Sequence, residues 1–159
     1  MTRIKLLIFS DSHGNVGNML DMTEQEKPDE IIHLGDCLRD AETLSFAFPD
    51  IPVTMVPGNC DGWTNRRDCL LLEREGVKLL LGHGHQWRVK STPVLALAEA
   101  RAKGADLLLY GHTHRAVCQR EGSVLVLNPG TVGGIGASAS YGVIEIDHAS
   151  AVGQIIWVE

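Results

Sequence analysis

Short apolar runs that stop at polar clusters set the rhythm of this chain. Ile4 to Phe9 is continuous and apolar, the pattern of a fully buried strand, and it leads to Asp11-Ser12-His13. Residues 15–26 follow with Val16, Met19, Leu20 and Thr23 at helical spacing, and Pro28 closes the segment. Glu30 to Leu34 predicts a second buried strand, ending at Gly35-Asp36, with a helix over 39–47 and breakers at Pro49 and Pro52. Val53 to Val56 predicts a third strand, ending at Pro57-Gly58-Asn59. Strand, polar turn and helix thus repeat through the first half. That alternation is the α/β signature, and in such folds chemistry gathers beyond the carboxyl ends of the strands.

The second half changes character. Cys69–Glu73 and Val77–Leu81 flank Arg74-Glu75-Gly76 as a hairpin. Pro93 starts a helix through Lys103, with Val94, Leu97, Ala98 and Arg101 on successive turns and Gly104 as its stop. Strands are predicted at 106–110, 116–120, 123–127, 141–146 and 155–158, with a tight turn at Glu121-Gly122. This β-rich end predicts a second, more antiparallel sheet packed on the first. No linker or repeat divides the chain, so one domain over 1–159 is expected. Gly133 to Ser140 is rich in small residues and reads as a mobile loop.

Composition narrows the class. A chain of 159 residues with 44% hydrophobic and 21% charged residues can bury a core. The net charge of −6 weakens any reading as a nucleic-acid binder, which needs a basic face. Cys37, Cys60, Cys69 and Cys118 form no C-x-x-C pair, which argues against a zinc ribbon and fits free thiols in a reducing cytoplasm. No apolar run reaches membrane length.

Five polar clusters carry the chemistry: Asp11-Ser12-His13, Gly35-Asp36, Gly58-Asn59-Cys60-Asp61, Gly82-His83-Gly84-His85 and Gly111-His112-Thr113-His114. They supply carboxylates, an amide and imidazoles without a matched thiolate pair. Mixed nitrogen and oxygen donors suit Mn, Fe, Zn, Ni or Co. Such a set fits two divalent ions side by side, a hydrolytic arrangement common for phosphate esters. Asp11-x-His13 and His112-x-His114 each put two donors on one side if the segment is extended. An isolated Asp before a helix is more often a cap than a ligand. Here Asp11 and Asp36 belong to an ordered set, which favours ligation.

That ordered set resembles the calcineurin-like metallophosphoesterase superfamily. Cys60-Asp61 after Gly58-Asn59, the short length and Asn128-Pro129-Gly130 resemble its small bacterial and archaeal phosphodiesterase branch, to which the retromer phosphoesterase-like subunit is related. The resemblance spans roughly residues 4–146. It implies a four-layer α/β/β/α sandwich and a metal-dependent phosphodiesterase acting on small phosphodiesters. One metal would take Asp11, His13, Asp36 and His114, and the other Asp36, Asn59, His83 and His112. Asp36 and a hydroxide would bridge them, and that hydroxide would attack phosphorus in line. Asn59, Asp36 and His112 would act in catalysis, with Asn59 also on a phosphoryl oxygen. Manganese is the expected metal, with Ni, Fe, Co or Zn as alternatives. A homo-dimer or higher homo-oligomer is typical of such proteins.

Two departures stand out. Cys60 occupies the place where many larger members have a histidine that protonates the leaving group; a thiol with a reference pKa of about 8.5 is a poor substitute. Gly35-Asp36 runs on to Asp40 with one residue more than the usual spacing, which leaves a supporting role for Asp40 open. His33, inside a strand, reads as structural, His148 as a solvated turn residue, and Arg39 as a solvated helix position. A phosphomonoesterase or nucleotidase, and a non-catalytic protein-binding scaffold, are the competing functions.

Overall fold

The computed structural model describes residues 3–158; the outermost positions of the expected domain, 1, 2 and 159, lie outside the described residues. Among the described residues, ten strands and three α-helices form as the apolar runs predict. Sheet A takes β1 (Ile4–Phe9), β2 (Glu30–His33), β3 (Val53–Met55), β9 (Ser140–Asp147) and β10 (Ser150–Trp157), in the order β10-β9-β1-β2-β3. Sheet B takes β4 (Cys69–Arg74), β5 (Val77–Gly82), β6 (Leu107–Leu109), β7 (Val117–Glu121) and β8 (Val124–Asn128), in the order β4-β5-β6-β8-β7. Both are mixed: β1-β2-β3 and β5-β6-β8 run parallel, and the outer strands pair antiparallel.

Alternation within the strands builds the layers. Leu6, Ile8, Ile32 and Ile144 of sheet A meet Leu79, Leu81, Leu107, Leu109 and Leu127 of sheet B in the central core. The opposite face of sheet A, with Leu7, Phe9, Ile31 and Val143, packs on Met19 of α1 (Val16–Glu26) and Leu44 of α2 (Leu38–Ala47). The outer face of sheet B, with Leu80, Leu108 and Val126, packs on Ala96, Leu97 and Ala100 of α3 (Val94–Ala102). The result is the expected α/β/β/α sandwich.

Three local features differ from the sequence reading. The last strand begins at Ser150, five residues earlier than expected, because His148 and Ala149 at φ 53° and 61° close a two-residue hairpin. A short 3-10 turn at His85–Trp87, unforeseen, follows Gly84 and buries Trp87. The segments around residues 11–13 and 112–114 are not extended, as the site shows.

Candidate functional site

The polar clusters meet at the carboxyl ends of β1, β2, β3, β5 and β6, where the parallel strands of both sheets open. Two groups of donors form there. Asp11, His13 and His114 make one; Asp36, His83 and His112 make the other; within each, the donor atoms lie within 4.8 Å of one another. Asp36 Oδ2 reaches both, 3.4 Å from His83 Nε2 and 3.8 Å from His13 Nε2. Six of the seven expected ligands are therefore assembled as two adjoining clusters. Asn59, the seventh, is exposed on the same β3 turn, its amide nitrogen 3.7 Å from Cys60 Sγ.

Asp11 is the most telling residue. Oδ2 accepts from Ser10 Oγ at 2.6 Å and from the His112 backbone N–H at 3.0 Å. Oδ1 is buried with no hydrogen-bond partner. Around Oδ1 stand three imidazole nitrogens, His114 Nε2 at 3.2 Å, His13 Nε2 at 3.6 Å and His83 Nε2 at 3.8 Å. A buried carboxylate oxygen left without a donor is expensive. A cation held jointly by that oxygen and the imidazoles removes the cost, so these donors fit divalent metal.

Backbone contacts fix which histidine nitrogen faces inward. His83 Nδ1–H donates to Leu34 O at 2.8 Å and His114 Nδ1–H donates to Ile135 O at 2.8 Å, which leaves each Nε2 lone pair for the site. His112 instead presents Nδ1, 3.2 Å from His83 Nε2. Burial works against charge on Asp36, yet His83 and the Cys60 N–H hold its carboxyl far below the carboxylate range. Burial likewise opposes protonation of His83, but Asp36 and Asp11 raise its pKa. The same negative potential that draws a proton there attracts a metal ion. His112 is pushed down to about 4 by burial and by the charges of His83 and Lys90.

The expectation that 11/13 and 112/114 share a face by extended alternation is corrected. Asp11, His13, His112 and His114 all have positive φ, 46° to 69°, so these segments are tight turns. His112 and His114 consequently go to different clusters. Nor do the carboxylates cap helices. Asn15 caps α1 through its side chain, accepting from Asn18 N, and Cys37 occupies the N-cap position of α2 without a side-chain bond. Close backbone approach explains two glycines: a Cβ on Gly58 would overlap the Asp36 carboxylate, and one on Gly111 would overlap Ser10 Oγ.

Several further residues support the site. Asp61 accepts four backbone N–H bonds, from Asp36 (3.0 Å), Cys37 (2.9 Å), Leu38 (2.8 Å) and Gly58 (2.7 Å). Thr131 Oγ1 donates to Asp11 O at 2.8 Å. Buried Asn128 donates to Gly111 O and Thr113 Oγ1, so the Asn-Pro-Gly turn braces the 111–114 loop. Asp40, despite the altered spacing, accepts from Gly14 N at 2.7 Å beside His13. His33 is fully buried and bonded to Ser12 Oγ and Gly35 N, a structural role as read. His85 stands 5.6 Å from His83, ring to ring, with Nδ1 buried and unpartnered. Cys60 and Arg39 line a hollow of about 440 Å³ beside His13, and burial with the Asp36 charge raises the Cys60 pKa.

Residues 4–149 match the family model of the calcineurin-like phosphoesterase superfamily domain. The chain belongs to that family. It is 31% identical over 152 residues to the probable metallophosphoesterase YsnB of Bacillus subtilis, covering 93% of this chain and 88% of that one. It is 29% identical over 177 residues to the phosphodiesterase YfcE of Escherichia coli, covering 94% and 91%. A predicted phosphoesterase of Streptococcus pneumoniae superposes with a TM-score of 0.83 at 26% identity, over 99% of this chain and 91% of that one. Membership places the chain among metal-dependent phosphoric ester hydrolases. Among the described residues no helix is long and apolar enough to cross a membrane.

Proposed function

We propose that this protein is a metal-dependent phosphodiesterase acting on small phosphodiesters. The observation that carries the reading is the pair of adjoining donor clusters around the orphaned Asp11 Oδ1. One divalent ion would be held by Asp11, His13, Asp36 and His114, and a second by Asp36, Asn59, His83 and His112. Bound there, two such ions supply Lewis acidity and an activated water for in-line displacement at phosphorus. The chain's own part is to fix the donors, to turn each Nε2 of His83 and His114 inward, and to present the Asn59 amide to a phosphoryl oxygen. Two hollows of about 440 Å³ flank the loops that carry the ligands, one lined by His13 and Cys60 and one by Thr113 and Arg115 on the outer face of sheet B. A diester has two substituents to accommodate and a monoester has one, so this favours the diester. YfcE, named a phosphodiesterase, agrees with that choice.

Manganese is the proposed metal, because the nitrogen-oxygen donor set admits it. Four free thiols are consistent with a cytoplasmic setting and no disulfide role. We also propose a homo-oligomer. The acidic balance disfavours long nucleic acids as substrates.

The test uses chelator-stripped protein restored with Mn²⁺ and offered an aryl phosphodiester beside its monoester. Diester turnover that appears only with metal is expected. Faster monoester turnover would replace the reading with a phosphomonoesterase, and metal binding without turnover of either would defeat it. With Cys60 where an acid would stand, rates across a series of aryl diesters should fall steeply as leaving-group pKa rises. A flat series would mean that another group protonates the leaving oxygen.

A further inference from the structure

The loop that supplies His112 and His114 has a second side. Tyr110, Thr113 and Arg115 alternate with Gly111, His112 and His114, and they line a hollow of about 440 Å³ together with Lys90 and Gln119. It lies on the outer face of sheet B, beside the start of α3. No carboxylate lines it, although the chain carries 20 acidic residues against 14 basic ones. The Lys90 ammonium and the Arg115 guanidinium make no hydrogen bond or ion pair to the protein among the described residues. Most other cations near carboxylates are engaged, such as Arg74 with Glu30 and Lys5 with Glu26. Lys90 is close enough for its charge to oppose protonation of the His112 ring. Two uncommitted cations thus converge beside the loop that carries His112 and His114; Gln119, at the rim, gives one amide hydrogen to Glu121 Oε1 at 2.9 Å, and the Thr113 hydroxyl accepts from Asn128 at 2.9 Å.

We propose that this hollow binds a terminal phosphate carried on one of the two ester groups of the substrate, so that the preferred phosphodiester bears a second anionic group. Arg115 has the planar fork that matches a phosphate, Lys90 adds a point charge, and Gln119 keeps its second amide hydrogen beyond the one given to Glu121. Tyr110, Val89 and Pro93 give the linking part of the ester group an apolar wall. The idea rests on the phosphodiesterase reading and names its substrate class.

The probes are the p-nitrophenyl ester of thymidine 5′-phosphate with and without a 3′-phosphate, compared in Mn²⁺-restored protein. The 3′-phosphate is expected to raise kcat/KM by at least about 10-fold, mostly through KM. In the Arg115→Ala/Lys90→Ala double variant that preference should fall to about 1. Arg88→Ala, which removes an exposed charge of the same segment outside the hollow, should keep it. Equal kcat/KM in the wild type, or a preference that survives the double variant, overturns the proposal. A preference lost equally in Arg88→Ala assigns it to a diffuse field and also overturns it. Calorimetry with thymidine 3′,5′-bisphosphate against thymidine 5′-phosphate separates the two ideas, because it needs no turnover. Tighter bisphosphate binding that depends on Arg115, in a protein that hydrolyses neither ester, keeps the subsite and removes the reaction. Equal binding with active turnover keeps the reaction and removes the subsite.

Discussion

Five of the seven candidate ligands, Asp11, His13, Asp36, His112 and His114, stand in left-handed backbone. Such conformations are costly for residues with a Cβ, of order 1–3 kcal/mol where strained, and Asp and His tolerate them better than most. The geometry persists because neighbours over-determine it. Asp61 is the clearest case, since its carboxylate gathers three N–H groups of the Asp36 turn and that of Gly58 in the turn after β3. Asp61→Asn keeps the size but turns an amide toward donors. It should lower Mn²⁺ affinity about 10- to 100-fold while the protein stays folded; calorimetry that finds wild-type affinity would deny Asp61 a positioning role. His33 offers a test by pH. Burial pushes its pKa down to about 4 from an ordinary 6.5, so the folded state holds it neutral. Its stabilising contribution is complete above pH 6.5 and declines as pH falls toward 4, by up to about 1.4 kcal/mol per unit. The stability gap between wild type and His33→Gln, in chelated protein, should therefore shrink on acidification. A gap constant from pH 7 to 4.5 would show that His33 does not titrate on unfolding.

At the scale of elements, the loop 131–139 is part of the site. Ile135 O accepts from His114 Nδ1–H, and Thr131 Oγ1 accepts from the Ile135 N–H at 3.3 Å while donating to Asp11 O. Thr131→Val removes both bonds at constant shape and leaves buried groups unpaired, at a cost of about 1–3 kcal/mol. The Asp11-His13-His114 cluster should lose about 10-fold in metal affinity and the Asp36-His83-His112 cluster little. Two-step Mn²⁺ titration reads this directly, and equal weakening of both steps would contradict it. None of these bonds was legible in the small-residue composition of 133–140, which left open whether the loop gates the site or simply turns the chain. The strands and the ligand clusters were legible because apolar runs and strand-end chemistry are local in sequence. The roles of Asp61 and Thr131 were not, because each is a bond to backbone far along the chain. The turn at His148 was legible, but not that His148 and Ala149 alone close it, so the last strand, which begins at Ser150, was expected five residues too late.

Across the whole molecule the two sheets are joined at both ends of their common core. At the site end, the His112 N–H donates to Asp11 and His83 donates to Leu34 O, each bond crossing from sheet B to sheet A. At the far end, Arg74 at the close of β4 crosses to Glu30 at the start of β2, with Nε to Oε1 at 2.8 Å and Nη2 to Oε2 at 3.1 Å. Thr54 Oγ1 adds a bond to the same carboxylate at 2.9 Å. Glu30 is 7% exposed, so loss of its partner leaves a buried carboxylate with little to compensate it. Arg74→Met leaves the carboxylate with the Thr54 hydroxyl alone. Breaking a deeply buried pair costs about 3–5 kcal/mol; because the Arg74 side chain is 33% exposed, a loss of about 1–3 kcal/mol is expected. Glu30→Gln in the Arg74→Met background should recover part of it, since the unpaired charge is then gone. Mn²⁺ affinity should stay at the wild-type value throughout, because the tie lies at the opposite end of the strands from the ligands. Denaturant unfolding of the four proteins of this cycle gives the coupling. If metal affinity fell in step with stability, the two ends of the sandwich would be coupled, and the picture of a site braced by its own loops would have to give way to one held by the packing of the sheets.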